Sequence, residues 1–216
     1  MFKFNLDTQT IDARGAIEER YEGQTGFSPE DFLEAFEAMG GDDVTVLLQS
    51  PGGVITEGLS IFGMFEAYGG KITLEIDSLA ASIASVIAMA ADEVVMRRKA
   101  KLFVHDPWTI AMGAASDFRN VADMLDVLAQ DIAEVYAERS GGDVGTWLKY
   151  MRDETWFNAE EAVEAGIADR IASKAKAAPS NDRVQHLEPV AFLPAVAMGS
   201  SLDKRSRCMG ELYRPR

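Results

Sequence analysis

Three short stretches of this chain carry residue types suited to one chemistry. Ser50-Pro51-Gly52-Gly53-Val54-Ile55-Thr56 is a glycine turn that leaves backbone N–H groups bare. Leu79-Ala80-Ala81-Ser82-Ile83-Ala84-Ser85 frames a serine with small residues, and Leu102-Phe103-Val104-His105-Asp106-Pro107 holds one of the chain's two histidines. A serine nucleophile, an imidazole base and a pocket of N–H groups are what acyl transfer to serine requires. The stretches follow one another as strand–loop–helix, strand–helix and strand. That order points to a serine peptidase on a crossover α/β fold.

The elements that must position these residues are readable from periodicity. Thr10–Ile17 alternates and predicts an opening strand. Ser28-Pro29-Glu30-Asp31 is a helix start, with Ser28 at the N-cap, Pro29 after it and acids in the first turn. Phe32, Phe36 and Met39 give that helix its apolar stripe, and Gly40-Gly41 stops it. Val44–Leu48 is apolar enough to expect burial on both faces, as in parallel strands. A helix over Thr56–Ala67, a strand over Lys71–Ile76 and a small-residue helix over Ala80–Ala91 follow. Glu93–Met96 and Lys101–His105 read as short strands. Phe118–Glu138 predicts a long amphipathic helix, with Val121, Leu125, Leu128, Ile132 and Val135 on one stripe. Val144–Met151 and the segment opened by Asn158 predict two further helices, the second closing at Gly166. Strands alternating with helices across short turns argue for stacked βαβ units.

Composition excludes several classes. The chain has 216 residues and 47% hydrophobic content, enough for one sizeable core. Its net charge of −14 argues against a general affinity for nucleic acid or anionic membrane, which require basic surface. Cys208, the single cysteine, excludes an intramolecular disulfide and a thiolate metal cluster. No segment approaches the roughly 20 apolar residues of a membrane span, and the first residues lack the pattern of an export signal. A cytoplasmic setting is therefore expected, with no metal and no cofactor required. From Ala175 onward the composition changes: seven basic residues stand against four acids, with Pro, Ser and Asn scattered among them. We expect one domain over 1–174 and a flexible tail over 175–216, open to processing or to partner binding through its apolar Val190–Met198 stretch.

The motifs together resemble one family. Ser50–Ile61 is similar to the glycine loop and following helix of the Clp protease proteolytic subunit. Ala80–Ala84 resembles its nucleophile turn, Phe103–Pro107 its histidine strand, and Phe157–Asp169 its closing helix–turn. The resemblance runs over roughly 11–172, with four motifs in order. It implies a Clp/crotonase-type α/β fold with a small-residue nucleophile helix and a protruding long helix, serine endopeptidase activity and assembly into a homo-oligomeric ring. It implies Ser82 as nucleophile, His105 as general base and the N–H groups of Gly53 and Ile83 as the oxyanion hole. Peptide would add as an extended strand along Gly52, Val54, Ile55 and Trp108. Rate is then expected to rise through the histidine pKa, about 6.5 for an unperturbed imidazole.

The third member departs from the family, which usually places aspartate ahead of the Phe-x-x-Ala-Glu-Ala segment. Here the run is Arg152-Asp153-Glu154-Thr155-Trp156-Phe157, and counting back from Gly166 puts Glu154 at that position, with Asp153 as the fallback. Either carboxylate can orient an imidazole. A serine among small residues, Ser85 included, more often packs or bonds backbone than reacts. The glycine loop upstream of Ser82 and the histidine downstream favour chemistry there, and His186 in the tail is a poor rival to His105.

Within the family, the Leu79–Asp92 run and the Glu154-Thr155-Trp156 segment look most like the Clp-related head maturation proteases of tailed phages and prophages, which cleave capsid and scaffold precursors inside a procapsid. The first expected strand begins at Thr10, whereas degradative subunits carry a longer N-terminal segment that meets an ATPase partner. Three alternatives stand beside this reading. One is a degradative peptidase working with an ATPase unfoldase. Another is a crotonase-type acyl-CoA enzyme, which would want basic residues for the CoA phosphates. The third is an assembly factor with a decayed site.

Overall fold

The computed structural model describes residues 1–173. The tail expected from Ala175, with His186 and Cys208, lies outside them.

An eight-stranded sheet is the frame. Strands β1 (Phe2–Asn5) and β2 (Thr10–Arg14) pair antiparallel. From β2 the sheet runs parallel through β3 (Val44–Ser50), β4 (Ile72–Ala81), β5 (Glu93–Met96) and β8 (Arg170–Ile171). The remaining strands, β6 (Lys101–Val104) and β7 (Thr155–Asn158), leave that path. β6 lies parallel to the end of β4, and β7 pairs antiparallel with β6. β4 therefore serves two partners in succession, β5 over Thr73–Ile76 and β6 over Leu79–Ala81.

Several boundaries differ from the expectations. β1 precedes the strand at Thr10, and that strand ends at Arg14 rather than Ile17. Ala80 and Ala81 finish β4 instead of opening a helix, because they pair with Leu102 and Phe103. β3 is not buried on both faces: Val44, Val46 and Leu48 face the core, while Thr45 and Leu47 are half-buried. Periodicity also missed β7, whose four residues carry no alternation of their own.

The helices close as their caps dictate. In α1 (Pro29–Met39) Ser28 and Asp31 form a capping box, and Gly40 ends the helix at φ 65°. Its Phe32 and Phe36 pack edge-on against Phe65 of α2 (Ile55–Ala67), at 5.3 and 5.6 Å between ring centres. Helix α3 (Ile83–Met89) is buried at every residue, which its small side chains allow. The long helix α4 (Ala115–Ser140) buries only Ile132, Ala133, Tyr136 and Ala137. At 1.5 Å per residue, Val121, Leu125 and Leu128 lie roughly 17, 11 and 6 Å along the helix from Ile132, the first residue of that anchor. Helix α5 (Val144–Arg152) and α6 (Ala159–Glu164) complete the chain order, the latter capped by Asn158. Among the described residues, no helix is long and apolar enough to cross a membrane.

Candidate active site

Register brings Ser82 and His105 together. Ala81 and Phe103 are partners on adjacent parallel strands, so the chain leaves β4 and β6 at the same end. Ser82 follows Ala81 directly, and His105 follows the last residue of β6. The result is a contact of 2.7 Å between Ser82 Oγ and His105 Nε2. With Nε2 as acceptor, the serine donates its proton toward the ring.

Ser82 sits between strand and helix at φ 57° and ψ −135°, outside the regions an L-residue favours. Such a conformation costs on the order of 1–3 kcal/mol and persists only where neighbours over-determine it. Here they do. The Ser82 N–H donates to the Phe103 carbonyl at 3.0 Å, and the Ser82 carbonyl accepts from the Ser85 N–H at 2.9 Å and from Ser85 Oγ at 2.6 Å. The turn lifts the hydroxyl clear of both elements.

His105 is set from beneath. Phe103, two residues earlier on the same face of the strand, stacks on the imidazole with 5.2 Å between ring centres. Trp156 covers Phe103 from β7 at 4.3 Å. Burial lowers the imidazole pKa below its ordinary 6.5, and the charges of Glu154 and Asp106 oppose that shift. The ring is therefore neutral, and able to take a proton, at a lower pH than a free histidine.

Of the two candidate acids, the structure brings only Glu154 into the field of His105. Glu154 acts through space rather than through a direct hydrogen bond. It occupies a tight turn at φ 52°, a left-handed conformation for a residue with a side chain. Asp153 caps α5 and pairs with Lys149, one helical turn back.

The glycine loop supplies the remaining groups. The Ile17 N–H donates to the Gly52 carbonyl at 3.0 Å, and the Val54 N–H to the Ile17 carbonyl at 2.9 Å. This bridge leaves the intervening Gly53 N–H without a strand partner. A β-carbon on Gly53 would stand 1.9 Å from the Ile17 carbonyl oxygen, so only glycine permits the approach. The Ile83 N–H, first in α3, likewise lacks an acceptor within its helix. Two N–H groups are thus left bare, one next to Ser82 in the chain and one on the loop that lines the same groove, and donors of this kind suit a developing oxyanion.

A groove of about 740 Å³ opens over Ser82 and His105, and its lining includes Gly53, Val54, Ile55 and Trp108. Two sequence assignments are corrected here. Gly52 does not line the groove; it packs beneath the nucleophile turn. Ile55 offers no strand edge, because it is the first residue of α2 and contributes only a side-chain wall. Sequence reasoning missed Ile17 from β2's exit and Ile110 from the segment before α4, both of which line the groove. It placed Leu125 and Leu128 on the α4 stripe without assigning them to this wall. That stripe was the available signal. Ile17 and Ile110 carried none.

The arrangement resembles known proteins. The sequence model for Clp protease matches residues 17–175. An ATP-dependent Clp protease proteolytic subunit of Bacteroides fragilis is 30% identical over 139 residues, covering 62% of this chain and 66% of that protein. A protein of the same name from Leuconostoc citreum is 28% identical over 153 residues, covering 69% and 76%. The chain thus spans a little under two thirds of the length of the Bacteroides relative. Among solved structures, a ClpP1 mutant from Listeria monocytogenes superposes with a TM-score of 0.68 at 20% identity, over 79% of this chain and 94% of that one. The shared architecture is the α/β fold described above.

Proposed function

The chain belongs to the Clp protease family, and on that premise we propose that it is a serine endopeptidase. The observation that carries this reading is the 2.7 Å contact of Ser82 Oγ with His105 Nε2 at the floor of the groove. Ser82 attacks the scissile carbonyl carbon while His105 takes its proton. The Gly53 and Ile83 N–H groups hold the oxyanion, and Glu154 steadies the imidazolium. Collapse of the tetrahedral intermediate breaks the C–N bond, and His105 gives its proton to the leaving amine. Water then hydrolyses the acyl-enzyme by the same steps in reverse roles. The extended peptide lies along Gly53, Val54 and Trp108, where apolar lining suits apolar side chains.

Two finer readings concern the substrate. The resemblance of Leu79–Asp92 and Glu154-Thr155-Trp156 to phage head-maturation proteases supports capsid or scaffold precursors, cleaved by a homo-oligomeric ring. The name shared by the relatives, ATP-dependent Clp protease proteolytic subunit, supports degradation alongside an ATPase.

Intact-mass analysis after fluorophosphonate treatment, with peptide mapping and Ser82→Ala as control, tests the activity. One adduct on Ser82, absent from the variant, is expected. An assembled sample that takes up no label overturns the peptidase reading and leaves an assembly role. Cleavage of folded capsid or scaffold precursor without any ATPase favours maturation, whereas cleavage confined to short peptides favours the degradative reading.

A further inference from the structure

We propose that Ser85 and Tyr136 are positioning residues that orient and polarise the Ile83 N–H as an oxyanion donor. The inference rests on the peptidase reading above and deepens it.

Tyr136 reaches α3 from α4, fully buried, with its hydroxyl 2.7 Å from Ser85 Oγ. Ser85 Oγ also lies 2.6 Å from the Ser82 carbonyl oxygen and 3.1 Å from that of Phe103. Carbonyls only accept, and a serine hydroxyl has a single proton to give. The Ser85 proton therefore goes to the nearer carbonyl, that of Ser82, and the Tyr136 proton goes to Ser85 Oγ. Burial pushes the phenol pKa up, so Tyr136 stays a donor. The order Tyr136 O–H, Ser85 O–H, Ser82 C=O is a one-way relay.

Its far end is the reactive turn. The Ser82 carbonyl and the Ile83 N–H belong to one planar trans peptide, and the two groups point in opposite directions. Holding the carbonyl inward holds the N–H outward. The same carbonyl also accepts the Ser85 N–H at 2.9 Å. Two donors on the oxygen draw density from the amide nitrogen and make its N–H a stronger donor, and chains of hydrogen bonds reinforce one another in a buried setting. A serine that merely bonds back along its own helix needs no phenol from an element 51 residues away.

Tyr136→Phe removes only the oxygen at the head of the relay. Losing a whole oxyanion donor costs about 10²–10³ in kcat, so weakening one predicts a loss of about tenfold at an unchanged KM. Rates are taken per fluorophosphonate-labelled Ser82, which removes any misfolded fraction. The Ile83 amide proton resonance is expected to move upfield in Tyr136→Phe and in Ser85→Ala, and to stay near its original position in Ser85→Thr, which keeps the hydroxyl. The double variant should be no slower than Ser85→Ala, since both changes cut one relay. An unmoved Ile83 resonance, or an unchanged kcat per labelled site in Tyr136→Phe, overturns the inference. Wild-type protein without a Ser82 adduct overturns the peptidase reading instead. The Ile83 resonance needs no turnover and still decides the relay.

Discussion

A β-carbon added to Gly52 would stand 2.6 Å from Cβ of Ser82 and 2.7 Å from the carbonyl oxygen of Ala81. The glycine loop and the nucleophile turn are therefore in contact through backbone, with no flexible side chain between them to give way. Gly52 also holds φ 91°, which other residues avoid. Gly52→Ala is expected to displace Ser82 from His105, cutting peptidase activity by at least about 100-fold. It should also destabilise the domain by roughly 1–3 kcal/mol. Activity assays and thermal melts check both. Full activity in the variant would mean that the loop yields where the structure says it cannot.

The pH profile carries a sign. Burial favours the neutral imidazole of His105, so its pKa lies below 6.5, and kcat/KM should rise with pH along a limb below that value. Glu154 opposes the shift, because its negative charge favours the imidazolium. Glu154→Gln should therefore move the limb further down in pH while lowering kcat by roughly 10²-fold or more. Asp153→Asn should leave the limb in place, since Asp153 is paired with Lys149. A limb that moves upward in Glu154→Gln would contradict the assignment.

Trp156 supports His105 at one remove. It lies tilted over Phe103 with 4.3 Å between ring centres, and Phe103 stacks on the imidazole. Aromatic pairs contribute about 0.5–1.5 kcal/mol beyond the area they bury. Trp156→Ala is expected to lower stability by about 1–2 kcal/mol and kcat several-fold, and Trp156→Phe to restore most of both. Denaturant melts and steady-state kinetics read the two effects. An alanine variant with unchanged kcat would show that Phe103 holds the ring alone.

What could be read in the sequence followed from local rules. The Ser28 N-cap, the Gly40 stop and the helix that carries the α4 stripe each depend on neighbours within one or two turns, and each stands where periodicity and capping put it. Ser82 was legible as a candidate from its frame of small residues between the upstream glycine loop and the downstream histidine, and His105 from its place at the end of a short apolar strand. Their contact needed a further fact, the Ala81–Phe103 register, which no local pattern encodes. The end of β4 was misread as helix because Ala80 and Ala81 have high helix propensity, and pairing with β6 overrides it. Counting back from Gly166 favours Glu154 over Asp153; that the charge of Glu154 reaches His105 while Asp153 pairs with Lys149 is a tertiary relation that no count contains. The Ser85–Tyr136 contact joins two helices distant in sequence, and neither residue type announces it.

The N-terminal half of α4 and the segment before it expose apolar side chains. Ile110 is 74% exposed and Met112 88%, and Phe118, Met124 and Val127 lie exposed nearby. Apolar side chains left in water in this number are costly and favour association through this part of the chain. Homo-oligomer formation through it is expected. Placing a charge at the centre of such a contact typically removes 2 kcal/mol or more, about a 30-fold weakening. The paired substitutions Ile110→Asp and Val127→Asp should therefore shift the protein toward single protomers in light scattering, with helix content unchanged by circular dichroism. Both positions lie outside the core, so folding does not depend on them. If the wild-type protein proves monomeric at working concentration, or the double variant keeps its full assembled mass, this face is not the contact. In that case Met124, Leu125 and Leu128 would serve the substrate groove alone.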